Sequence, residues 1–164
     1  MSDPVADPMP YVVGLISDTH GLLRPAVFAA LAGVDVILHA GDVGGSDLLA
    51  RLSDVAPVLA VSGNTDPPGA PGLVAERLVV FSGVSVHVSH GHELGRPTPE
   101  RLLAAYPQDV LVYGHTHRQL IARAADGRLV VNPGAAGARR FDLAPSVARL
   151  TIAAGRAEAV LVDL

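Results

Sequence analysis

The chain has 164 residues, a net charge of −4, no cysteine, and no lysine among its 12 basic residues. At 49% hydrophobic and 17% charged it has ample material for one core, and its length suits one domain. The missing thiols exclude disulfides and thiolate chemistry and fit a reducing cytosol; the lack of a long basic patch disfavours a nucleic-acid-binding module; and no apolar run reaches the length of a membrane span.

Residues 1–10 are polar and proline-rich, without the basic and apolar segments of a signal peptide. They are expected to form a loose tail ahead of a single domain over residues 11–164 of a cytoplasmic protein. Tyr11 to Ile16 is a short continuous apolar run, as in a strand covered on both faces, and it ends in Ser17-Asp18-Thr19-His20-Gly21. A helix is predicted over Arg24 to Ala32, with Pro25 in its first turn and Gly33 as its stop. Val34 to His39 is the second strand, followed by Ala40-Gly41-Asp42-Val43; Ser46 is a candidate cap for a helix over Asp47 to Asp54. Pro57 to Val61 is the third strand, running into Ser62-Gly63-Asn64-Thr65-Asp66. Strand, helix, strand, helix, strand is the pattern of a parallel sheet with right-handed crossovers.

The pattern then changes. Pro67 to Gly72 reads as a loop, and Arg77 to Phe81 and Val84 to Ser89 as a hairpin around Ser82-Gly83, ending in His90-Gly91-His92. Thr98 and Pro99 open a helix to about Tyr106; Asp109 to Tyr113 is a strand that ends in Gly114-His115-Thr116-His117. Strands are predicted over Leu120 to Ala124 and Leu129 to Val131, joined by a turn at Asp126-Gly127, and over Ser146 to Ile152 and Ala157 to Val162.

Polar motifs recur where strands end. Asp18 and His20 follow the first strand, Asp42 the second, Asn64 the third, His90 the second hairpin strand, and His115 and His117 the strand after the last helix. In open α/β sheets, ligands bind beyond the carboxyl ends of the strands, so these residues are expected to meet along one edge. Two carboxylates, four imidazoles and one amide oxygen make a mixed N/O set suited to divalent first-row metals. They exceed what one tetrahedral ion needs, and two ions sharing a carboxylate would use them all.

In order, Asp18-Thr-His20, Gly41-Asp42, Gly63-Asn64-Thr-Asp66, His90-Gly-His92 and Gly114-His115-Thr-His117 resemble the five motifs of calcineurin-like metallophosphoesterases. The resemblance covers roughly residues 11–141 and is greatest to the small bacterial and archaeal phosphodiesterase branch, which is also similar to the retromer scaffold subunit. It implies an α/β fold, a four-layer αββα sandwich of two mixed sheets covered by helices. It implies two divalent metal ions, manganese first, with iron, zinc or nickel as alternatives. Asp18, His20 and His117 would bind one ion, Asn64, His90 and His115 the other, and Asp42 would bridge them. A hydroxide bridging the metals would attack phosphorus in line with the leaving oxygen of a small phosphoester.

One position departs from the family pattern. Many members carry His after the Gly-Asn pair, where it assists the leaving group; this chain has Thr65. His92 and Asp66 are the candidate catalytic replacements. Asn64, His92 and Arg139 are candidate phosphate contacts, Arg139 because guanidinium matches phosphate bidentately. His92 could instead hydrogen-bond a ligand, and Arg139 and Arg140 could be a solvated pair; Arg24 is a further candidate. His39 reads as a satisfied core histidine, His87 as an ordinary strand residue, and Asn132-Pro133-Gly134-Ala135 as a turn near the site. The same fold also serves as a non-catalytic protein scaffold, and the same site serves phosphomonoesterases and nucleotide hydrolases; a homo-oligomer stays open.

Overall fold

A computed structural model describes residues 9–164. Most of the expected N-terminal tail lies outside the described residues; Met9 and Pro10 are exposed and irregular. The elements run β1 (Tyr11–Ile16), α1 (Pro25–Ala30), β2 (Val36–His39), α2 (Ser46–Leu52), β3 (Val58–Val61), β4 (Leu73–Val74), β5 (Glu76–Phe81), β6 (Val84–Ser89), α3 (Pro99–Ala105), β7 (Val110–Val112), β8 (Leu120–Arg123), β9 (Leu129–Asn132), β10 (Ser146–Ala153) and β11 (Arg156–Asp163).

They form two mixed sheets, ordered β11-β10-β1-β2-β3-β4 and β5-β6-β7-β9-β8. The predicted parallel unit is present: β1, β2 and β3 pair in parallel, with His39 level with Ile16 on one side and Ala60 on the other. In the second sheet β7 lies parallel to both β6 and β9. Strand alternation sorts side chains into layers. Val13 and Leu15 of β1 join Val84, Val86, Val110 and Val112 of the second sheet in the central core. Ile16 and Ile37 point the other way, against Val27 of α1, Leu31 at its end, and Leu48 and Leu52 of α2. Leu111 and Val130 pack against Leu102 of α3 on the far face of the second sheet. The expected four layers, αββα, result.

Several local expectations change. Ser46 is the first residue of α2 rather than its cap; Gly45 holds the cap position at φ 134°, and no side chain caps the helix. The Pro67 to Gly72 loop leads into β4, a two-residue parallel edge strand too short for a pattern in sequence. Ser82 and Gly83 both have positive φ, the geometry of a two-residue hairpin. The Asp126-Gly127 turn has three residues: Ala124 N–H donates to the Arg128 carbonyl, and only Gly127 takes positive φ. A 3₁₀ turn over His92–Leu94, not expected, re-aims the chain after β6.

The cap expected for α3 is formed. Thr98 Oγ1 accepts from Arg101 N–H at 3.2 Å, with Pro99 in the first turn. Thr98→Ala should therefore lower unfolding free energy by about 1 kcal/mol, read from the denaturant midpoint; an unchanged midpoint would show that the sheet alone holds α3.

Candidate metal centre

All five loops reach one edge. Asp18 and His20 leave β1, Asp42 leaves β2, Asn64 leaves β3, His90 leaves β6, and His115 and His117 leave β7. Backbone bonds lock the loops together: Asp18 N–H donates to the Gly41 carbonyl at 3.0 Å, His20 N–H to Asp42 at 2.9 Å, and Gly114 N–H to His90 at 3.1 Å.

The side chains then converge. His117 Nε2 lies 3.3 Å from Asp18 Oδ1, and His20 Nε2 lies 4.0 Å from the same oxygen. Asp42 Oδ2 sits between the two halves, 3.6 Å from His20 Nε2 and 3.3 Å from His90 Nε2. Asn64 Oδ1 lies 3.1 Å from both His90 Nε2 and His115 Nδ1. Metal bonds of about 2.0–2.2 Å place neighbouring ligand atoms roughly 3.0–3.5 Å apart, which these spacings approach. Among the described residues, Asp18 Oδ1 and His20 Nε2 are buried atoms without a hydrogen-bond partner. Such orphans are costly unless something else satisfies them, so the donor set fits divalent cations. His115 and His117, two apart in sequence, meet different partners, Asn64 and Asp18.

Electrostatics agree. Burial works against ionisation of Asp18 and Asp42, yet His117, His90 and Ser17 outweigh it at Asp18, and His90 and the Thr65 amide outweigh it at Asp42, so both carboxyls fall below their ordinary range. Burial opposes protonation of His90, but Asp42, Asp18 and the Ala40 carbonyl raise its pKa. The pocket favours positive charge. His90 Nδ1–H donates to Ala40 at 2.7 Å, which orients Nε2 toward the cluster.

The backbone is strained to achieve this. Asp18, His20, Asp42, His115 and His117 all have positive φ, from 46° to 70°; among the described residues the other non-glycine residues that do are Ser82, Phe141 and Ala154. Such conformations cost on the order of 1–3 kcal/mol each and bring the side chains inward. Two glycines are required by close approach: a Cβ at Gly63 would collide with the Asp42 carboxylate, and one at Gly114 with the Ser17 hydroxyl and the Asp18 carboxylate.

The other predicted residues divide. His92 sits at the rim, its ring 5.3 Å from that of His90 and 6.3 Å from that of His115. Asp66 does not offer a free acid: its oxygens accept from the N–H groups of Val43, Gly44 and Gly63 at 2.8–3.2 Å. It ties the β2 and β3 loops. Arg139 is exposed and makes no hydrogen bond to the ligands. Arg24 Nε instead donates to the Gly137 carbonyl at 2.9 Å. His87 lies in β6 as expected, and it is buried, paired with Glu76 at 2.7 Å and stacked on Tyr106.

Sequence reasoning missed two supports. Ser17 Oγ–H donates to Asp18 Oδ2 at 2.6 Å. Asn132 is fully buried; its Nδ2 donates to the Gly114 carbonyl and Thr116 Oγ1, each at 3.0 Å, clamping the His115–His117 loop. The Asn-Pro-Gly turn was the available signal, since an amide beside a ligand loop can satisfy its backbone.

Fold and donor set together define a metal-binding α/β protein. The chain belongs to the calcineurin-like phosphoesterase superfamily, whose domain matches residues 12–155. A probable metallophosphoesterase of Methanothermobacter thermautotrophicus is 34% identical over 148 residues, covering 85% of this chain and 80% of that protein. A phosphodiesterase of Methanocaldococcus jannaschii is 26% identical over 140 residues, covering 74% of this chain and 82% of that one. In fold, Vacuolar Protein Sorting 29 of Cryptosporidium parvum is similar with a TM-score of 0.79 at 21% identity, covering 96% of this chain and 99% of that one.

His39 holds the floor. It is fully buried, its Nδ1 accepting from Gly41 N–H at 3.1 Å and its Nε2 3.0 Å from Thr19 Oγ1. Burial lowers its pKa from 6.5 to about 4. Between those values the unfolded chain takes up a proton that the folded protein refuses, so stability falls as pH falls through this window, by at most about 3 kcal/mol. His39→Asn, which keeps an acceptor near Gly41, should remove this contribution. The wild-type minus variant unfolding free energy should grow from pH 4 to 6.5; a flat difference would contradict the assignment.

Proposed function

We propose that this metallophosphoesterase is a dinuclear phosphodiesterase that acts in the cytoplasm on a small phosphoester, with residues 11–164 as one functional domain. The observation that carries the reading is the convergence of seven ligand-type side chains on orphaned, buried donor atoms at one sheet edge. Asp18, His20 and His117 hold one ion, Asn64, His90 and His115 the other, and Asp42 lies between. Manganese is the first candidate, with iron, zinc or nickel as alternatives.

When bound, the ions supply Lewis-acid stabilisation of phosphate charge and a readily deprotonated water. The protein does the rest. Ala40 fixes the His90 tautomer, Thr65 N–H holds Asp42 Oδ1 at 2.9 Å, and His115 N–H and Ser17 hold Asp18 Oδ2. The phosphate contacts Asn64 and His92, and His92, half exposed at the rim, is the group placed to donate a proton to the leaving oxygen. Asp66 takes a positioning role instead of the catalytic one. Gly137 N–H donates to the Asp18 carbonyl at 3.3 Å; Arg139 follows two residues on, at most about 7 Å of chain, which supports its role as a phosphate contact.

The likeness to Vacuolar Protein Sorting 29 favours one rival, a non-catalytic scaffold. Hydrolysis of an aryl phosphodiester and its matching monoester, with and without manganese, separates the readings. The wild type should cleave the diester, and Asp42→Asn should lower kcat/KM by at least about a hundredfold. Preference for the monoester would favour a phosphomonoesterase. Inactivity on both, with no metal in elemental assay, would favour the scaffold.

Leaving-group assistance gives a separate test. Thr65→His should raise turnover on diesters with poor leaving groups, within the roughly 10²–10⁴-fold that general acid catalysis supplies. No gain across a series of leaving-group pKa values would count against the reading that Thr65 leaves the leaving group short of assistance.

A further inference from the structure

Two clefts of opposite charge flank the centre. On the His92 side, a cleft of about 310 Å³ is lined by Glu76, Glu93, Tyr106 and Ser62. Its carboxylates make it hostile to an anion. On the His115 side lies a larger cleft of about 500 Å³, within the usual range for small-ligand sites. His115 and Thr116 form its inner end, Arg96 and Arg118 line it, and Tyr113, Pro97 and Leu120 add apolar surface. Among the described residues no carboxylate lines it.

Both guanidinium groups are available. Among the described residues neither makes a hydrogen bond or ion pair to a protein acceptor, and both residues are exposed. Arg123 and Arg128 bind backbone carbonyls and Arg156 pairs with Glu158, while Arg51, Arg139 and Arg140, likewise without such a partner among the described residues, lie outside this cleft. On a chain with net charge −4, two free arginines in one cleft beside the centre stand out. Tyr113 lies almost fully buried, so it gives the cleft an edge and no open face for stacking a base.

Building on the phosphodiesterase reading, we infer that the Arg96–Arg118 cleft is a substrate subsite for a second phosphate group, carried on one substituent of the diester. The scissile phosphate occupies the centre, and the substituent extends past His115 into the cleft. The two planar forks bind the terminal dianion. The acidic cleft beside His92 takes the other, uncharged substituent. The enzyme therefore selects diesters that carry a distal phosphate over those that do not.

Calorimetry on the manganese-loaded protein tests this with thymidine 3′,5′-bisphosphate against thymidine 5′-monophosphate. Charge-assisted hydrogen bonds of this kind contribute about 1.5–3 kcal/mol, so the bisphosphate should bind at least about tenfold more tightly. Arg96→Gln combined with Arg118→Gln should abolish the difference while the variant keeps its wild-type circular dichroism spectrum and metal content. Equal affinities in the wild type, or a difference that survives in the double variant, would overturn the subsite. A kinetic arm uses the 5′-(4-nitrophenyl) diester of thymidine with and without a 3′-phosphate, where kcat/KM should favour the phosphorylated form in the wild type alone. Loss of all hydrolysis with retained bisphosphate preference would sink the phosphodiesterase reading and leave the anion subsite standing.

Discussion

The structure depends on keeping two ionised carboxylates, Asp18 and Asp42, inside a cluster of imidazoles at a sheet edge. Asp18 Oδ1 is buried without a donor, and the Nε2 of His20, 3.6 to 4.0 Å from both carboxylates, is buried without an acceptor. Taking a carboxylate from water costs several kcal/mol even after relaxation. Hydrogen bonds from Ser17 and the amides of Thr65 and His115 offset part of that. Between His20 Nε2 and the two carboxylates, gaps of 3.6 and 4.0 Å are too wide for hydrogen bonds. A divalent cation satisfies such a set; hydrogen bonds at those distances do not.

The scaffold is shaped around this demand. The central core is a cluster of Val and Leu side chains from both sheets. It holds the strand ends of both sheets at one edge, so seven residues spread from position 18 to position 117 become neighbours. Strain is concentrated there, since five candidate ligands sit at positive φ. Supports for the loops come from behind: His39 under the Gly41 turn, Asp66 between the β2 and β3 loops, and Asn132 behind the Gly114 turn. The division leaves a rigid centre and exposed flanks, where Arg96, Arg118 and His92 face solvent.

Much of this was legible in sequence. The strand-end motifs stood out because apolar runs broke at polar residues, and the α/β pattern placed those breaks on one edge. The layer order came from the family resemblance alone. What was not legible depended on register between distant strands. Asn132 reads locally as a turn residue, yet β9 pairs with β7 so that its amide falls against Gly114. Asp66 looked like a free acid because its three amide donors come from chain up to 23 residues away. His87 gave no sign of its stack on Tyr106, since that contact needs α3 folded over the second sheet. Gly45 displaced Ser46 as the helix cap because only glycine readily adopts its φ of 134°.

The central claim is a pair of ions divided by Asp42, with His115 and His117 on opposite sides. Manganese stoichiometry by calorimetry and elemental assay tests it most directly. The account predicts two ions per wild-type chain and one in each single variant, His115→Ala emptying the Asn64/His90 half and His117→Ala the Asp18/His20 half. Asp42→Asn should weaken both. A wild type that binds a single ion, or two variants that each lose all metal, would contradict it.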